Sequence, residues 1–424
     1  MAASLSLSLY RGFMTALSPL LPLYLARRIK AGKEDAARLG ERYGRYDAPF
    51  HHDGTTIWLH AISVGEAMAA LALAKDLRAR FKDAHFIITT GTMTSAEIVQ
   101  KAAMRLPISH VFAPFDAPRF VRRFFDHYQP DFGVIFESDF WPVMMTSAHD
   151  KRIPLFLASA QMSEASAANW AKRPALARDM FAPIAACFAH DAAQADNFQA
   201  FGISDSKVTG SLKLPPFEET KTDFASALLK TSKTRLILLG ASTHAGEETA
   251  LLQISQRLTK AGIVHLLIIA PRHPDRGDEV AKMMPNAKRR SQNQLPESDC
   301  LTYLCDSLGD MPSLYQAADI VWLGATFVDR GGHNPLEPAS YGKPVICGRS
   351  HFKNRHEFEQ LTRLGVCQIA HNNDESIKLI TALAQDKDTR ATIAKAGKAY
   401  AKKAASRPAK VAASIEAIWR EGRS

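Results

Sequence analysis

WLHAISVGEAMAA (residues 58–70) begins as an apolar run of strand type, turns tightly at Gly65 and continues as a helix with Glu66 in its first turn. A strand, a turn and a helix in immediate succession are typical of parallel α/β proteins. The dinucleotide fingerprint of such folds needs three glycines at this turn, and here there is one. The sequence thus places an acid where a phosphate-binding loop would be expected.

The same alternation of β-rich runs and helical segments continues through two sets of predicted strands. The first set is TIWLHAIS, HFIITTGT, HVFAPFD, FGVIFESD, IPLFLASA and ACFAHD. The second is RLILLGAST, HLLIIAPRH, CLTYLCDS, DIVWLGAT and KPVICGRS, each but the last leading into a helix-like stretch. Residues 207–233, rich in proline, threonine and charge, are predicted to form a linker. Residues 387–420 have a lysine- and alanine-rich helical pattern that could pack on either half.

These patterns predict an α/β protein with two Rossmann-like domains that face a central cleft, where the carboxyl ends of both sheets would bind ligands. We expect a helical segment over residues 1–45, an N-terminal domain over 46–214 and a C-terminal domain over 215–424. The final helix of the C-terminal domain can return to the N-terminal one.

The composition favours anionic partners. Lysine and arginine number 53 against 43 aspartates and glutamates, for a formal charge of +10 over 424 residues. Nucleic acid, acidic lipid and phosphorylated small molecules would all suit this charge, and so would a basic surface that serves only solubility. The five cysteines form no CxxC pair, which indicates a reducing compartment without a zinc site or a disulfide framework.

The N-terminus is apolar over residues 12–26 and then basic at Arg27, Arg28, Lys30 and Lys33. A secretory signal has its charge before the apolar core, not after it. The pattern favours a membrane anchor or an in-plane helix, with the protein body on the cytoplasmic side. A helix buried in the protein's own core is the alternative.

Three turns of the second half suit a nucleotide-sized anion. GASTHAGEE (residues 240–248) opens a helix whose free amides could bind phosphate; the alternative is a cap alone, which needs only Ser242 or Thr243. Arg272 and His273 follow a strand and are held between prolines. In GGHNPLE (residues 331–337), two glycines precede a histidine, an asparagine and a glutamate that we expect one turn into a helix.

The first half carries acids at comparable positions. Ser63 and Glu66 have the spacing of a capping box, so Glu66 has a structural alternative to a chemical role. Glu137 and Asp139 end another strand beside Trp141, and together with Glu66 they offer acid/base chemistry. TTGTMTS (residues 89–95) is a turn that could receive sugar hydroxyls or phosphate.

With these motifs assembled, the chain resembles the 3-deoxy-D-manno-octulosonic acid (Kdo) transferases, GT-B-fold glycosyltransferases of lipopolysaccharide biosynthesis. The resemblance runs over nearly the whole chain. It rests on eight motifs in family order: HAISVGE, TTGTMTS, ESDFWP, SLK, GASTHAGEE, APRHPDR, DSLGDM and GGHNPLEPA.

The resemblance implies an inverting enzyme that transfers Kdo from CMP-Kdo to a lipid A precursor (lipid IVA), with no metal and no other cofactor. It places the enzyme at the cytoplasmic face of the cell inner membrane, with the lipid surface as a partner and no nucleic acid. Glu66 matches the catalytic base, and Glu137 and Lys213 match transition-state stabilisers. The family's CMP contacts fall on Pro271, Arg272, Gly309, Asp310, Met311, Asn334, Pro335, Leu336 and Glu337.

The helix start is expected to keep Glu66 ionised. SAQMSEAS (residues 159–166) and GRSHFKNRHEF (residues 348–358) depart from the family pattern, which bears on the acceptor side. Two alternatives stand beside Kdo transfer. One is another GT-B sugar-nucleotide enzyme, such as a UDP-sugar transferase or epimerase. The other is a non-enzymatic basic protein of a membrane surface or of nucleic acid, although no basic stripe is interleaved with aromatics as single-strand binding requires.

Overall fold

The computed structural model describes residues 5–214, 222–233, 235–297 and 300–423. Leu214–Ala405 form one compact unit, here the second unit. The described residues before Leu214 and after Ala405 form the other, the first unit. The last helix of the chain therefore belongs to the first unit.

The first unit is built on a seven-stranded parallel sheet of order β3-β2-β1-β4-β5-β6-β7 within the described residues. Ile57 of the central strand pairs with Phe86 on one side and Phe132 on the other. Helices cover both faces, which is why these strands are continuous apolar runs. The strands are β1 Thr56–His60, β2 His85–Thr90, β3 Ile108–Phe112, β4 Phe132–Phe136, β5 Leu155–Ala160, β6 Ile184–Ala189 and β7 Ser206–Val208.

The first three helices of this unit precede its first strand, and the later ones follow its strands. They are α1 Leu5–Leu17, α2 Leu21–Lys30, α3 Leu39–Arg42, α4 Val64–Arg80, α5 Met93–Ala103, α6 Pro118–Tyr128, α7 Pro142–Asp150, α8 Glu164–Ala171, α9 Pro174–Phe181 and α10 Ala192–Ala200, with 3-10 turns at Ser18–Leu20 and Ala36–Arg38. Helix α4 buries Ala70, Leu73, Ala74 and Leu77, at the three- and four-residue spacing that forms one helical face. This packing fixes the direction in which the first turn of α4 points.

The N-terminal helices pack on the first unit through part of their surface. Leu7 and Leu25 are buried, and the Tyr10 hydroxyl donates to Asp116 Oδ2 at 3.1 Å. Within the described residues no helix is long and apolar enough to cross a membrane. The outward face is nevertheless apolar, with exposed Leu5, Leu9, Phe13, Leu20, Leu23 and Tyr24. The segment is thus neither wholly buried in the protein nor wholly free of it.

The second unit repeats the architecture, with the strand order β10-β11-β9-β8-β12-β13-β14 in the part of the chain described. Its strands are β8 Leu236–Thr243, β9 His265–Pro271, β10 Lys288–Arg289, β11 Thr302–Leu304, β12 Ile320–Leu323, β13 Val345–Cys347 and β14 Cys367–Ile369. Its helices are α11 Asp223–Ser232, α12 Glu247–Lys260, α13 Gly277–Met283, α14 Met311–Ala317, α15 Leu336–Ser340, α16 Arg355–Arg363, α17 Asn373–Gln385 and α18 Lys387–Ala405, with 3-10 turns at Pro274–Arg276, Arg290–Gln292 and Phe352–Asn354.

Every predicted strand is present, but three short edge strands, β7, β10 and β14, were not predicted. The predicted linker is partly wrong: 222–233 contains helix α11, while residues 215–221 lie outside the described residues. The strand KPVICGRS does lead into a helix, α16. The predicted terminal helix is two helices, α18 and α19 (Arg407–Glu421), because Pro408 begins a new helix after Ser406. Helix α19 packs against α4.

Candidate active site

The first turn of α4 holds the carboxylate of Glu66 from two sides. Ser63 is the N-cap, and its hydroxyl donates to Glu66 Oε1 at 2.8 Å while accepting from the Glu66 N–H at 3.3 Å. The Ile62 N–H donates to Glu66 Oε2 at 2.8 Å. Glu66 therefore has the capping contacts that the spacing predicts, and each oxygen keeps one further lone pair for another donor.

Burial sets the acidity of Glu66. The side chain is only 7% exposed, and burial raises the pKa of Glu66 above its ordinary value. The Ser63 hydroxyl, the charge of Lys213 and the Ile62 N–H act in the opposite direction, while the charge of Glu137 adds to the rise. The cost of desolvation thus outweighs the donors and makes Glu66 a weaker acid than an ordinary glutamate, while its ionisation at neutral pH stays a prediction.

Lys213 and Glu137, which the sequence places 76 positions apart, form an ion pair. The side chain of Lys213 crosses the first turn of α4 at Gly65. A Cβ atom at Gly65 would lie 2.9 Å from Lys213 Cε and 3.2 Å from its Cδ, closer than carbon atoms can approach. The glycine of this turn therefore makes room for a lysine of the same unit.

The backbone beside this pair is held in an unusual conformation. Glu137 and Ser159 have φ values of 60° and 52°, in the left-handed region that side chains other than glycine rarely adopt. The Ser159 hydroxyl accepts the Leu212 N–H at 2.8 Å, and Arg407 donates to the Ser211 carbonyl at 3.1 Å. Strained residues of this kind persist where the surroundings fix them, and they cluster at functional sites.

In the second unit, the predicted CMP-binding residues lie at the carboxyl ends of neighbouring strands. Pro271 ends β9, and the Arg272 N–H donates to the Thr243 carbonyl at the end of β8 at 3.0 Å. Gly309 has a φ of +90° with open space around it. Asp310, the N-cap of α14, accepts from the Ser307 hydroxyl at 2.6 Å. Met311 then begins α14.

The NPLE residues form a tight turn. Asn334 Oδ1 accepts the Leu336 N–H at 3.0 Å, and Pro335 precedes the five-residue helix α15 instead of lying in its first turn. Glu337 is consequently the second residue of α15, not one turn into it. Leu336 is fully buried and anchors the helix to the unit.

Tyr315 of α14 contacts the carboxylate of Glu337. Burial, assisted by the charge of Glu337, raises the pKa of Tyr315 well above its ordinary value, so its hydroxyl remains a donor. Burial also raises the pKa of Glu337, against the hydrogen bond from Tyr315 and the charge of Arg272. Glu337 thus interacts with Tyr315 through a hydrogen bond and with Arg272 through its charge.

The two glycines before the NPLE turn adopt backbone conformations that other residues rarely adopt. Gly331 and Gly332 have φ values of 84° and 74°, and a Cβ at Gly331 would lie 2.7 Å from side chains of the following loop. His333 then stacks on His244, with their Nε2 atoms 3.2 Å apart. Burial, followed by the charges of His244 and Arg272, lowers the pKa of His333 to about 4, so it is neutral at pH 7.

The two acids of the predicted phosphate turn GASTHAGEE accept hydrogen bonds from neighbouring parts of the chain. Glu247 Oε2 accepts the N–H groups of His244 and Ala325, both at 2.9 Å. Glu248, fully buried, accepts from Thr243 and from Arg276. Glu247 thus anchors the loop after β12 to the start of α12, and phosphate binding by the amides of this helix start stays a prediction.

Comparison with known proteins shows the family of the chain. Residues 37–215 match the profile described as 3-deoxy-D-manno-octulosonic-acid transferase (kdotransferase), and residues 230–400 match that of the group 1 glycosyl transferases. A 3-deoxy-D-manno-octulosonic acid transferase of Haemophilus influenzae is 31% identical over 92% of this chain and 94% of its own length. The chain belongs to the Kdo transferase family. A Rickettsia bellii protein of the same name is 32% identical over 79% of the chain and 81% of its own length.

Similarity to solved structures shows the fold class of the chain. A putative UDP-N-acetylglucosamine 2-epimerase from Listeria monocytogenes superposes with a TM-score of 0.62, covering 87% of this chain and 97% of its own at 13% identity. Anabaena HepE bound to UDP gives 0.59, covering 86% of this chain and 100% of its own at 16% identity. At such identities the likeness concerns the fold alone, and it confirms the prediction of a GT-B protein with two parallel α/β domains.

His60 was not singled out from the sequence. His60 at the end of β1 donates to Asp139 after β4, with Nε2 and Oδ2 2.6 Å apart. The adjacency of β1 and β4 was the missing information, since both residues end predicted strands. Thr92 and Ser95 of TTGTMTS form a capping box at the start of α5.

Proposed function

We propose that this chain transfers Kdo from CMP-Kdo to a lipid A precursor, lipid IVA, with inversion at the anomeric carbon and without a metal. The observation that carries the proposal is the buried Glu66 beside the Lys213–Glu137 pair, in a chain of the Kdo transferase family. A buried acid with a raised pKa next to a positioned cation is a common arrangement for general base catalysis.

In the reaction, Glu66 accepts the proton of an acceptor hydroxyl as that oxygen bonds to the anomeric carbon of Kdo. The bond from this carbon to the phosphate oxygen breaks at the same time, and its electron pair leaves with CMP. A single displacement of this kind inverts the anomeric carbon. Lys213, held by Glu137, offsets negative charge that develops or is carried at the centre.

The donor is assigned to the second unit. Gly309, with its free backbone face, and Arg272 suit the phosphate and the nucleotide, while the Glu337 carboxylate suits sugar hydroxyls. The neutral His333 can donate or accept a hydrogen bond there without adding charge. The remaining family positions, Pro271, Asp310, Met311, Asn334, Pro335 and Leu336, shape these loops.

The enzyme is assigned to the cytoplasmic face of the inner membrane. The exposed apolar side chains of α1 and α2 would enter the lipid interface, with Arg27, Lys30 and Lys33 near anionic headgroups. This arrangement needs no spanning helix and brings the enzyme to an acceptor embedded in the bilayer.

The test incubates the purified chain with CMP-Kdo and tetraacylated lipid A precursor, with EDTA, and follows the lipid by mass spectrometry. We expect a Kdo-lipid product and a loss of at least about 100-fold in turnover for Glu66→Gln, the scale of general base catalysis. Glutamine preserves the cap, so the variant should keep its melting temperature and its affinity for CMP. Absence of product, with turnover of UDP-sugars instead, would refute the assignment, and near-normal turnover of the variant would leave Glu66 only a capping role.

A further inference from the structure

A cavity of about 410 Å³ lies at the carboxyl ends of the first four strands of the first unit. The loops after β1, β2, β3 and β4 line it with Ile62, Thr92, Phe115 and Asp139, and Tyr24 of α2 covers it. Ligands of parallel sheets bind at this edge. The larger cavity of about 660 Å³ instead lies at the amino ends of β4, β5 and β6, beside the last helix.

A chain of hydrogen bonds from Trp58, behind the cavity, leads to His60 and Asp139 in its lining. Trp58, which can only donate, gives its Nε1–H to Thr89 Oγ1 at 2.9 Å. Thr89 Oγ1 is 2.7 Å from His60 Nδ1 and 3.5 Å from the Leu59 carbonyl, so with His60 in its neutral form the shorter distance favours donation from Thr89 to Nδ1. His60 Nε2–H is then the donor to Asp139 Oδ2 at 2.6 Å.

Asp139 offers the cavity an open acceptor. In the part of the chain that the structure describes, no donor contacts the second oxygen of its carboxylate. Asp116, the neighbouring acid, accepts the Tyr10 hydroxyl and the Val143 N–H at Oδ2 and the Met144 N–H at Oδ1, so each of its oxygens already has a donor. Asp139 is therefore the carboxylate available to a ligand that carries hydroxyl donors.

The cations at this cavity are already paired. Arg42 donates to both oxygens of Glu34 at 3.0 and 3.1 Å, and Arg28 Nε donates to the same carboxylate at 2.7 Å. The lining has three carboxylates, those of Glu34, Asp116 and Asp139, against these two arginines, so a phosphate would add to an excess of negative charge. The charges thus favour an uncharged, hydroxyl-bearing part of a ligand.

The mouth of the cavity is aromatic and apolar. Trp141 and Tyr24 are 42% and 49% exposed, and both line it together with Met14. Tyr24 packs edge-on against Phe115, which holds its ring in place. Exposed aromatic rings with a polar tip bind surfaces that are apolar on one side and wet on the other.

We infer that this cavity binds the sugar head of an amphiphilic acceptor, with Asp139 accepting from a ring hydroxyl and with Trp141 and Tyr24 covering the ring and the first methylenes of its acyl chains. His60 is the positioning residue that holds Asp139. The inference rests on the proposed transfer to a lipid acceptor, because Ile62, which lines the cavity, also donates to Glu66.

The test measures acceptor KM, CMP-Kdo KM and direct binding of tetraacylated precursor in detergent micelles for Asp139→Asn and Trp141→Ala. We expect acceptor KM and Kd to rise roughly 10-fold or more, as for loss of a hydrogen bond to a charged group, with donor KM within about twofold. Asp126→Asn and Met104→Ala, at exposed positions outside the cavity, are matched controls that should change neither constant. Melting temperatures check that each variant folds.

Competition identifies the occupant. Octyl glucoside, a neutral amphiphilic sugar, should displace the precursor from the wild type and lose this effect in Trp141→Ala, whereas inorganic phosphate should not compete. Unchanged acceptor constants in both cavity variants, or competition by phosphate alone, would overturn the inference while leaving Kdo transfer intact. A wild-type chain that binds the precursor through this cavity without transferring Kdo would overturn the proposed function instead.

Discussion

Substitution of Gly65 by alanine separates the stability of the first unit from its chemistry. The new Cβ would lie 2.9 Å from Lys213 Cε, whereas carbon atoms in contact are at roughly 3.5–4.0 Å. One of them must move by about 1 Å. Lys213 is 37% exposed and flexible, so its side chain will move, not the helix.

The expected change in stability is small. Alanine in a helix is favoured over glycine by roughly 0.5–1 kcal/mol. A partly exposed ion pair such as Lys213–Glu137 contributes about 0–1 kcal/mol, and its loss would cancel that gain. The free energy of unfolding should change by about 1 kcal/mol or less, and the melting temperature by about 4 °C or less for a unit of this size.

The expected change in turnover is large. A misplacement of about 1 Å at a reacting centre can cost 10²-fold, and complete removal of one electrostatic stabiliser costs about 10²–10³-fold. We expect Gly65→Ala to lower kcat for Kdo transfer by roughly 10- to 100-fold. Lys213→Met should cause the largest loss of kcat, because it removes the cation completely. The double variant should be no slower than Lys213→Met, because both changes remove the same interaction. Normal kcat in Gly65→Ala, or additive losses in the double variant, would refute the reasoning.

Three further predictions concern other parts of the molecule. The acid limb of the kcat/KM profile should lie above the ordinary glutamate pKa of 4.5, because burial raises the pKa of Glu66 and only its ionised form accepts a proton. The Ser63→Ala variant removes a donor to the ionised form, so its acid limb in pH–rate profiles should move to higher pH. A shift to lower pH would contradict the base assignment. Tyr315→Phe should weaken CMP binding, measured by calorimetry, roughly fivefold through the loss of about 1 kcal/mol at Glu337, with kcat at saturating donor unchanged. Leu9→Glu with Phe13→Glu should abolish sedimentation with anionic vesicles at an unchanged melting temperature, because both side chains are exposed, whereas Met104→Glu should still sediment.

Features that depend on residues close in sequence could be predicted, whereas features that depend on residues distant in sequence could not. Strands such as β1 and β4 are continuous apolar runs, so local pattern identifies them, whereas β10 has two residues and forms only because β11 lies beside it. The Ser63–Glu66 contact was predictable because a helix start fixes it locally. The His60–Asp139 bond was not, since it depends on strand order. The burial that raises the pKa of Glu66 was not predictable for the same reason, because it depends on what the rest of the unit packs around the residue.

The two contacts of Glu66 also bear on which oxygen receives the proton. The Ile62 N–H can only donate, so protonation of Oε2 would leave that donor with a weaker acceptor. The Ser63 hydroxyl can donate to an ionised carboxylate and can rotate to accept from a protonated one, so it stays bonded in both states if the proton is on Oε1. A base that also caps a helix is held in place in both of its protonation states. The single glycine of the turn then has a purpose unrelated to phosphate, because it admits Lys213 beside this carboxylate.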